Sequence, residues 1–411
     1  MRQDKSEVII IGAGPSGAVA AGLLRRAGRE VTLLEKEIFP RFCIGESLLP
    51  QSMEYIEAAG MLRDVVEAGF QFKNGAGFAC GKQYAEFDFR EKFSPGWGTT
   101  YQVQRGTFDK VLADAAVRMG ADIRYQQEVT RVDVSGERPV LFVQPKNGEA
   151  YTLVGDFLLD ASGYGRVLPR LLDLETPSEL PVRQAIFTHV EDRVAQNAEA
   201  EFDREKILIS VHPEKRDVWY WLIPFSNGRS SLGVVGRREQ FDAREDAEQL
   251  RAWVQEAPNL AKILKDARWD TPVQHIIGYS ANVKSLCGRH FALLGNAGEF
   301  LDPVFSSGVT IAIKSADLAV KTWLRQAAGE AVDWERDYAQ PLMTGVNAFR
   351  AFVNAWYDLR LQDIIFHPDK APEIERMISA VLAGYAWDAN NPFVARAARR
   401  LASLDAACAL A

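Results

Sequence analysis

The hydrophobic pattern of the first forty residues predicts a strand, a helix and a second strand. Residues 8–11 (VIII) form the continuous apolar, β-branched run that a buried parallel strand requires. A glycine-rich turn follows, and a helix is predicted to open at Pro15. A second strand over 30–34 ends at Glu35. This order is typical of a Rossmann-like βαβ unit.

The rest of the chain shows three further patterns. Residues 156–165 and 291–297 are short apolar runs that end in small-residue turns, and a helix is predicted from about Gly308. The regions near 71–104 and 176–282 alternate apolar and polar positions, which predicts antiparallel strands. After about residue 330 the pattern is helical to the end. The chain is therefore predicted to be an α/β protein whose parallel sheet is interrupted by strand-rich insertions.

One of the predicted inserted strands, DVWYWLIPF over 217–225, contains two tryptophans. Trp219 and Trp221 are two positions apart, so on a strand both point to one face, with Tyr220 on the other. Two interpretations remain open from the residues alone. The indoles either fill the core or form the wall of a site.

The turn after the first strand predicts dinucleotide binding. Gly12, Gly14 and Gly17 complete GxGxxG. The first glycine makes the tight turn, the second lets backbone approach a pyrophosphate, and the third lets helix pack on strand. Helix amides opening at Pro15 would face the phosphates. Glu35 is placed to bind a ribose hydroxyl pair, and an acid there argues against a 2′-phosphate, which leaves FAD or NAD.

Composition excludes several other classes of protein. The 411 residues carry a net charge of −7, which gives no reason to expect nucleic acid or an anionic membrane as a partner. The four cysteines and five histidines are scattered, so no metal site is predicted and a reduced cytoplasmic protein is expected. The apolar run near the N-terminus is too short for a signal peptide, and no run of about 18 apolar residues predicts a membrane span.

Three pieces of the chain, GxGxxG, 156–165 and 290–324, resemble the flavoprotein hydroxylase superfamily in their order and spacing. The resemblance implies a Rossmann-like FAD-binding domain of the GR2 type, an inserted antiparallel-sheet substrate domain and a C-terminal helical segment. The FAD-binding domain would comprise residues 1–70, 105–175 and 283–330. The sheet domain would comprise 71–104 and 176–282, and the helical segment 331–411.

The same resemblance implies a set of FAD contacts. They are Gly12, Gly14, Pro15, Ser16, Gly17, Glu35, Lys36, Arg41, Arg105, Asp160, Gly295, Asp302, Gly308 and Val309. Asp302 would bind the ribityl chain, and the helix near Gly308 would direct its amides at the flavin pyrimidine. One position departs from the superfamily, which usually has Gly-Asp where this chain has Gly295-Asn296. Asparagine can form a hydrogen bond there but carries no charge.

Two further motifs indicate one particular family within this superfamily. Residues 219–224 match WxWxIP at every fixed position, and residues 300–308 match FxxPxxSxG. Both patterns are typical of flavin-dependent halogenases. On this resemblance Trp219 and Trp221 stand beside the flavin and separate it from the substrate. Chloride or bromide would be held by the amides of Ser307 and Gly308, next to Ser306, at a helix N-terminus. The alternative is that this loop serves flavin binding only.

A lysine in the first part of the predicted sheet domain, residues 71–104, adds to the halogenase resemblance. Lys73 precedes a glycine-rich stretch and aligns with the essential lysine of these halogenases. A lysine facing a hydrophobic channel loses hydration, which lowers its pKa. It would then direct hypohalous acid to the substrate by a hydrogen bond or a chloramine. The alternative is a surface lysine near a hairpin turn. Lys82 is the competing candidate, and its neighbours indicate a turn.

The chain thus resembles a flavin-dependent halogenase over essentially its whole length. Such an enzyme receives reduced FAD from a separate NAD(P)H-dependent flavin reductase, and no second dinucleotide fingerprint is present in this sequence. Phe305 stands where tryptophan-specific halogenases carry Glu, so a phenolic, pyrrolic or carrier-tethered aromatic substrate is expected. Three alternatives remain open: an aromatic hydroxylase, a geranylgeranyl-reductase-like enzyme, or a non-enzymatic FAD-binding relative.

Overall fold

The computed structural model describes residues 2–197, 201–242 and 244–410. These residues form 21 strands and 13 α-helices. The strands are β1 Arg2–Lys5, β2 Val8–Ile11, β3 Val31–Glu35, β4 Gln71–Lys73, β5 Gly75–Cys80, β6 Gln83–Asp88, β7 Thr100–Gln102, β8 Asp122–Tyr125, β9 Gln127–Asp133, β10 Val140–Pro145, β11 Tyr151–Val154, β12 Phe157–Asp160, β13 Glu175–Thr176, β14 Arg183–Glu191, β15 Lys206–Val211, β16 Trp219–Pro224, β17 Arg229–Arg237, β18 Gln274–Ile277, β19 Asn282–Val283, β20 Cys287–Gly288 and β21 Phe291–Leu293. The α-helices are α1 Pro15–Arg26, α2 Gln51–Ala58, α3 Leu62–Glu67, α4 Arg105–Arg118, α5 Val167–Leu171, α6 Asp246–Gln255, α7 Pro258–Ile263, α8 Ser307–Ala327, α9 Gln340–Tyr357, α10 Arg360–Phe366, α11 Pro372–Leu382, α12 Pro392–Ala395 and α13 Ala397–Cys408.

A six-stranded sheet of order β20-β21-β12-β2-β3-β8 holds the N-terminal βαβ unit. All its pairs are parallel except β20–β21. The predicted first strand, residues 8–11, is present with those bounds and is fully buried. Because β21, β12 and β2 are successive parallel neighbours, the turns that follow these strands meet at one sheet edge, where ligands of doubly wound folds bind.

A seven-stranded sheet of order β18-β14-β17-β16-β15-β5-β6 lies against this unit. It joins strands from residues 75–88 with strands from residues 183–277, which are far apart in sequence. The prediction of antiparallel pairing is correct for every neighbouring pair except one, since β15 runs parallel to β5. Strands β4 and β7 pair separately, beside the start of β5.

The two faces of the seven-stranded sheet belong to different hydrophobic clusters. Trp219 and Trp221 belong to the large cluster shared with the six-stranded sheet unit. Tyr220 points to the opposite face, where its hydroxyl donates to the backbone carbonyl of Trp253 at 3.0 Å. The predicted alternation along β16 is therefore present.

The C-terminal helices cover the edge of the interface between the two sheets. Helix α9 buries an aromatic stripe that includes Phe349, Phe352 and Trp356. These side chains belong to the large cluster, so the stripe packs in the core. No helix in the described part of the chain combines the length and apolar composition needed to cross a bilayer.

Candidate active site

A cavity of about 550 Å³ lies between the six-stranded sheet and the seven-stranded sheet. Thirteen of the residues predicted to form the site line this cavity, and Asn296 lines it with them. Those residues are Gly12, Gly14, Pro15, Ser16, Glu35, Lys36, Arg41, Arg105, Trp219, Trp221, Asn296, Ser306, Gly308 and Val309. Its volume falls within the range of about 300–1,000 Å³ that is usual for ligand sites. Pieces of chain nearly 300 residues apart therefore meet in one concave site.

The glycine-rich turn has the geometry that a dinucleotide cradle requires. Gly12 has φ +95°, and a Cβ there would lie 2.6 Å from the carbonyl oxygen of Ala161. A Cβ on Gly17 would collide with the carbonyl of Gly12, so this glycine lets α1 pack on β2. Among the described residues no side chain caps the N-terminus of α1 at Gly14. Its first-turn amides are therefore available to phosphate.

Two predicted acidic contacts of the cofactor hold the loops around the cavity. Glu35 lines the cavity and accepts hydrogen bonds of 2.9 Å from the amides of Ala13 and Glu37. Asp160 is fully buried and does not line the cavity. It accepts from the amides of Ser162 and Leu168 at 2.9 and 2.7 Å, and burial raises its pKa. Asp160 thus shapes the cavity wall through the loop that follows it.

A cationic cluster lines the part of the cavity near α4. Arg105 donates to both carboxylate oxygens of Asp109, at 2.7 and 3.1 Å, and to the carbonyl of Ile44 at 2.9 Å. Arg41 lies 3.4 Å from the same carboxylate. Burial lowers the pKa of Arg105, but the charge and the hydrogen bond of Asp109, together with nearby groups such as Glu46, more than offset this, so the pKa is raised. Both guanidinium groups are therefore permanent cations beside the cavity.

The loop after β21 brings Asn296 to the cavity but not Gly295 or Asp302. The Asp302 carboxylate accepts hydrogen bonds from Tyr357 at 2.8 Å, from Tyr279 at 3.2 Å and from the amide of Val304 at 3.0 Å. Burial raises its pKa. Its predicted contact with the ribityl chain stays a prediction, and its observed partners are these three groups.

Trp219 and Trp221 form one wall of the cavity. Their ring centroids are 5.9 Å apart, and the planes are tilted by 48°. The Trp219 indole N–H donates to the Tyr357 hydroxyl at 3.0 Å, and that of Trp221 donates to Ser231 Oγ at 3.0 Å. Both rings are therefore fixed in orientation. They pack in the core and line the cavity at the same time, and their role as the wall of a binding site stays a prediction.

Lys73 is completely buried, so the interpretation of a surface lysine is wrong. Its amine donates to Ser47 Oγ and to the Leu48 carbonyl, both at 2.8 Å, and lies 5.4 Å from the centre of the Phe89 ring. No carboxylate pairs with it among the described residues. Burial lowers its pKa to about 7. Lys73 does not line the cavity itself, but its partner Ser47 does.

The loop from Pro303 to Gly308 leads into α8 at the cavity. Ser306 has φ +56° and ψ 22°, a left-handed conformation that turns the chain into the helix. Ser306, Gly308 and Val309 line the cavity, whereas Ser307 is buried beneath its surface. The predicted halide site is thus a helix N-terminus that faces the cavity through Gly308.

The segment Cys43–Ser47 was not predicted from the sequence to be functional. Its residues all line the cavity, and its Glu46 side chain is 2% exposed. The available signal was an acid and a hydroxyl, Glu46 and Ser47, between apolar Ile44 and Leu48. Polar side chains in a short apolar segment are costly to bury and so indicate a role.

The residues around the cavity fit FAD. The glycine turn and the uncapped α1 amides suit a pyrophosphate, Glu35 suits a ribose, and Arg41 and Arg105 suit an anionic flavin ring. At its other end the cavity is apolar and aromatic, which suits a flat ring system. No group of three or more side chains suited to a metal ion occurs within the described ranges.

Comparison with known sequences agrees with this geometry. The FAD binding domain family matches residues 5–330. The chain is 33% identical to a tryptophan 2-halogenase of Chondromyces crocatus over 79% of its own length and 62% of that protein. It is 27% identical to a 1H-pyrrole-2-carbonyl-[peptidyl-carrier protein] chlorinase of Pseudomonas fluorescens, over 88% of this chain and 86% of that one.

Two solved structures extend the similarity to the whole fold. A flavoprotein/dehydrogenase from Cytophaga hutchinsonii superimposes with a TM-score of 0.94 and 42% identity, covering 99% of each chain. The flavin-dependent brominase Bmp2 superimposes with a TM-score of 0.82 and 26% identity, over 97% of this chain and 98% of that one. The chain therefore belongs to the FAD binding domain family and, within it, to the flavin-dependent halogenases.

Proposed function

We propose that this protein uses FADH2, O2 and chloride or bromide to halogenate an aromatic substrate. The observation that carries the proposal is the position of Lys73. Its amine contacts Ser47, a residue of the cavity wall, while Trp219 and Trp221 form another wall of the same cavity. An amine, an indole partition and a helix N-terminus thus surround one FAD site. A separate NAD(P)H-dependent flavin reductase is proposed to supply the FADH2.

Bound reduced FAD would supply the electrons that activate O2, and the activated oxygen would oxidise the halide. The chain's own residues have three tasks. The amides at the start of α8, beside Ser306, would hold the halide, because a helix N-terminus attracts anions. Trp219 and Trp221 would keep an organic substrate from the flavin. Lys73, held by two neutral acceptors, would present a lone pair to electrophilic halogen when its amine is unprotonated.

The proposed substrate is a phenol or a pyrrole, either free or tethered to a carrier protein. Phe305 is 4% exposed and packs edge-on against Trp356, with ring centroids 5.8 Å apart. An apolar ring at this position offers no partner for the ammonium group of a free amino acid. The similarity to an enzyme of carrier-bound pyrrole supports the tethered form.

The test supplies the protein with FAD, a flavin reductase, O2 and either halide. Phenols and pyrroles are offered free and as carrier-protein thioesters. Mass spectrometry is expected to show the isotope pattern of chlorine or bromine on the aromatic ring. A product that contains oxygen and no halogen would support an aromatic hydroxylase instead.

A flavin-dependent dehydrogenase or reductase is the second candidate function. The complete burial of Lys73 favours it, because the cavity does not reach this amine directly. The test is anaerobic: a reductase oxidises FADH2 with an unsaturated organic acceptor and needs no halide. Oxidation of FADH2 that requires O2, and product formation that requires halide, would exclude this candidate.

A further inference from the structure

A buried carboxylate of the cavity wall is hydrogen-bonded to a histidine outside the cavity. Glu46 lines the cavity, and its Oε1 lies 2.8 Å from His189 Nε2. Its other oxygen, Oε2, makes no hydrogen bond to any residue that the structure describes. A buried acid with one satisfied oxygen is costly, and such groups cluster at functional sites. None of the roles proposed above uses Glu46.

His189 connects this carboxylate to the protein surface. It lies on β14, does not line the cavity, and its side chain is 14% exposed, so the exposed part faces solvent. Its ring lies between Phe42 and Phe225, with centroid distances of 5.6 and 5.1 Å, which hold its orientation. Its second nitrogen, Nδ1, has no hydrogen-bond partner within the described ranges. One nitrogen thus faces the carboxylate and the other is free to exchange protons with water.

The proposed reaction consumes a proton. Aromatic C–H, halide, O2 and FADH2 give the halogenated ring, FAD and two waters only if one H⁺ is added per turnover. Arg105, which interacts with Glu46, is a permanent cation and cannot donate this proton. A route for this proton from solvent is therefore needed.

We propose that His189 and Glu46 form a proton relay from solvent into the FAD cavity. The proposal rests on the proposed function, because halogenation is the reaction that takes up the proton. Nδ1 of His189 accepts a proton from water, and the proton on Nε2 passes to Glu46. The neutral carboxyl group then donates into the cavity and returns to carboxylate. One proton enters and one leaves. The starting tautomer returns when Nδ1 releases its proton to water and Nε2 takes one up from a water molecule that enters between the ring and Glu46.

The charges around the pair are compatible with this role. The guanidinium of Arg105 interacts electrostatically with Glu46. Arg105 is nevertheless hydrogen-bonded to Asp109 and to backbone carbonyls, not to Glu46. Glu46 is therefore free to change protonation without breaking an ion pair.

The chain offers a matched control pair. His212 Nε2 lies 2.9 Å from Glu256 Oε2, and the His212 ring also packs on an aromatic side chain, Trp253. His212 does not line the cavity. His212→Gln therefore removes an equivalent hydrogen bond remote from the site. The test variants are Glu46→Gln and His189→Gln, which keep shape and hydrogen-bonding capacity but cannot relay a proton.

The main measurement is the fraction of oxidised FADH2 that yields halogenated product, at FAD concentrations that saturate each variant. Loss of a positioned proton donor typically costs about 10²-fold or more, so this fraction is expected to fall by about 10²-fold in both test variants. H2O2, whose formation from FADH2 and O2 takes up no proton, is expected to replace the product. Added imidazole is expected to restore product in His189→Ala, which a merely structural role would not allow.

A second measurement needs no turnover. In FAD-free protein with ¹⁵N-labelled histidine, the His189 Nε2 proton is expected to be protected from exchange and to lose that protection in Glu46→Ala. Unchanged exchange would overturn the relay. So would product from both test variants at the level of His212→Gln. If the unmodified protein itself yields no halogenated product, the proposed function fails, and the relay with it.

Discussion

The amine of Lys73 donates a hydrogen bond of 2.8 Å to the hydroxyl of Ser47. The two residues are 26 positions apart, and their hydrogen bond joins β4, which lies beside the start of β5, to the wall of the cavity. The second acceptor, the Leu48 carbonyl, is also neutral. Because no carboxylate in the described part of the chain compensates its charge, burial lowers the pKa of Lys73 to about 7. An amine of this kind is partly unprotonated at neutral pH and is therefore nucleophilic.

Replacing Lys73 with alanine should abolish halogenated product while FADH2 oxidation and release of hypohalous acid continue. The amine is assigned to the transfer of halogen and not to its oxidation, so the two activities should separate. A halogen-trapping reagent measures hypohalous acid, and mass spectrometry measures product. Lys82→Ala is the control, since Lys82 lies in the turn between β5 and β6. Loss of flavin oxidation together with product would contradict the assigned role.

Lys73 should also make stability depend on pH. Its pKa is about 7 in the folded protein and about 10.5 in the unfolded chain, so between these values the unfolded chain binds the extra proton. Stability therefore rises with pH through this window, by up to about 1.4 kcal/mol per pH unit from this group. Lys73→Met lacks the effect. Urea unfolding would measure the free energy of unfolding of Lys73→Met minus that of wild type. This difference should fall by on the order of 3 kcal/mol from pH 7 to pH 10, because only wild type gains stability from Lys73 in this window. Lys82→Met should show no such trend.

Replacing Trp219 and Trp221 together with leucine should let substrate approach the flavin. The absorption spectrum of bound FAD should then change when substrate is added, which we do not expect of wild type. Tyr220→Phe is the control, because Tyr220 lies on the same strand but faces the other side of the sheet. If the spectrum, the flavin oxidation rate and the product all match wild type, the shielding role fails.

Gly233→Ala should displace the Trp221 ring. Gly233 lies opposite Trp221 in the β16–β17 pair, and a Cβ there would collide with the indole. Overpacking of this kind typically costs about 1–3 kcal/mol, and the displaced ring should also weaken FAD binding. Gly136→Ala is the control, since a Cβ at Gly136 meets only the Arg138 carbonyl oxygen at 3.6 Å. Thermal unfolding and fluorescence titration with FAD would measure both effects, and equal behaviour of the two variants would refute the expectation.

Asn296 and Asp302 should have different roles in the same loop. Asn296 lines the cavity, so Asn296→Ala should weaken FAD binding by about 3- to 10-fold, the loss of one hydrogen bond. Asp302→Asn should instead lower the melting temperature, because Asp302 is the buried acceptor of Tyr357, Tyr279 and Val304. Calorimetry would measure the melting temperature of each variant, and titration would measure its affinity for FAD. Equal loss of FAD affinity in Asp302→Asn would support its predicted contact with the ribityl chain.

The N-terminal unit and the strand of the two tryptophans could be predicted from sequence because their signals are local. A four-residue apolar run, a glycine turn and an acid after the next strand specify backbone conformation within about thirty residues. Alternation along 219–224 likewise settles which side chains share a face. The predicted strand over 8–11 and the opposite orientations of Trp221 and Tyr220 are both present in the structure.

The pairing of distant segments was decided only by the tertiary structure. Strand β5 lies parallel to β15 although about 130 residues separate them, and no local pattern specifies that partner. The same holds for the side chains that meet across the fold. Ser47 accepts from Lys73, Glu46 contacts His189, and Asp302 is held by Tyr357. The partners and the burial of a polar side chain depend on how far apart the packed elements lie, and local sequence does not fix these distances. Packing therefore decides which polar residue of a motif faces the cavity and which one supports its wall.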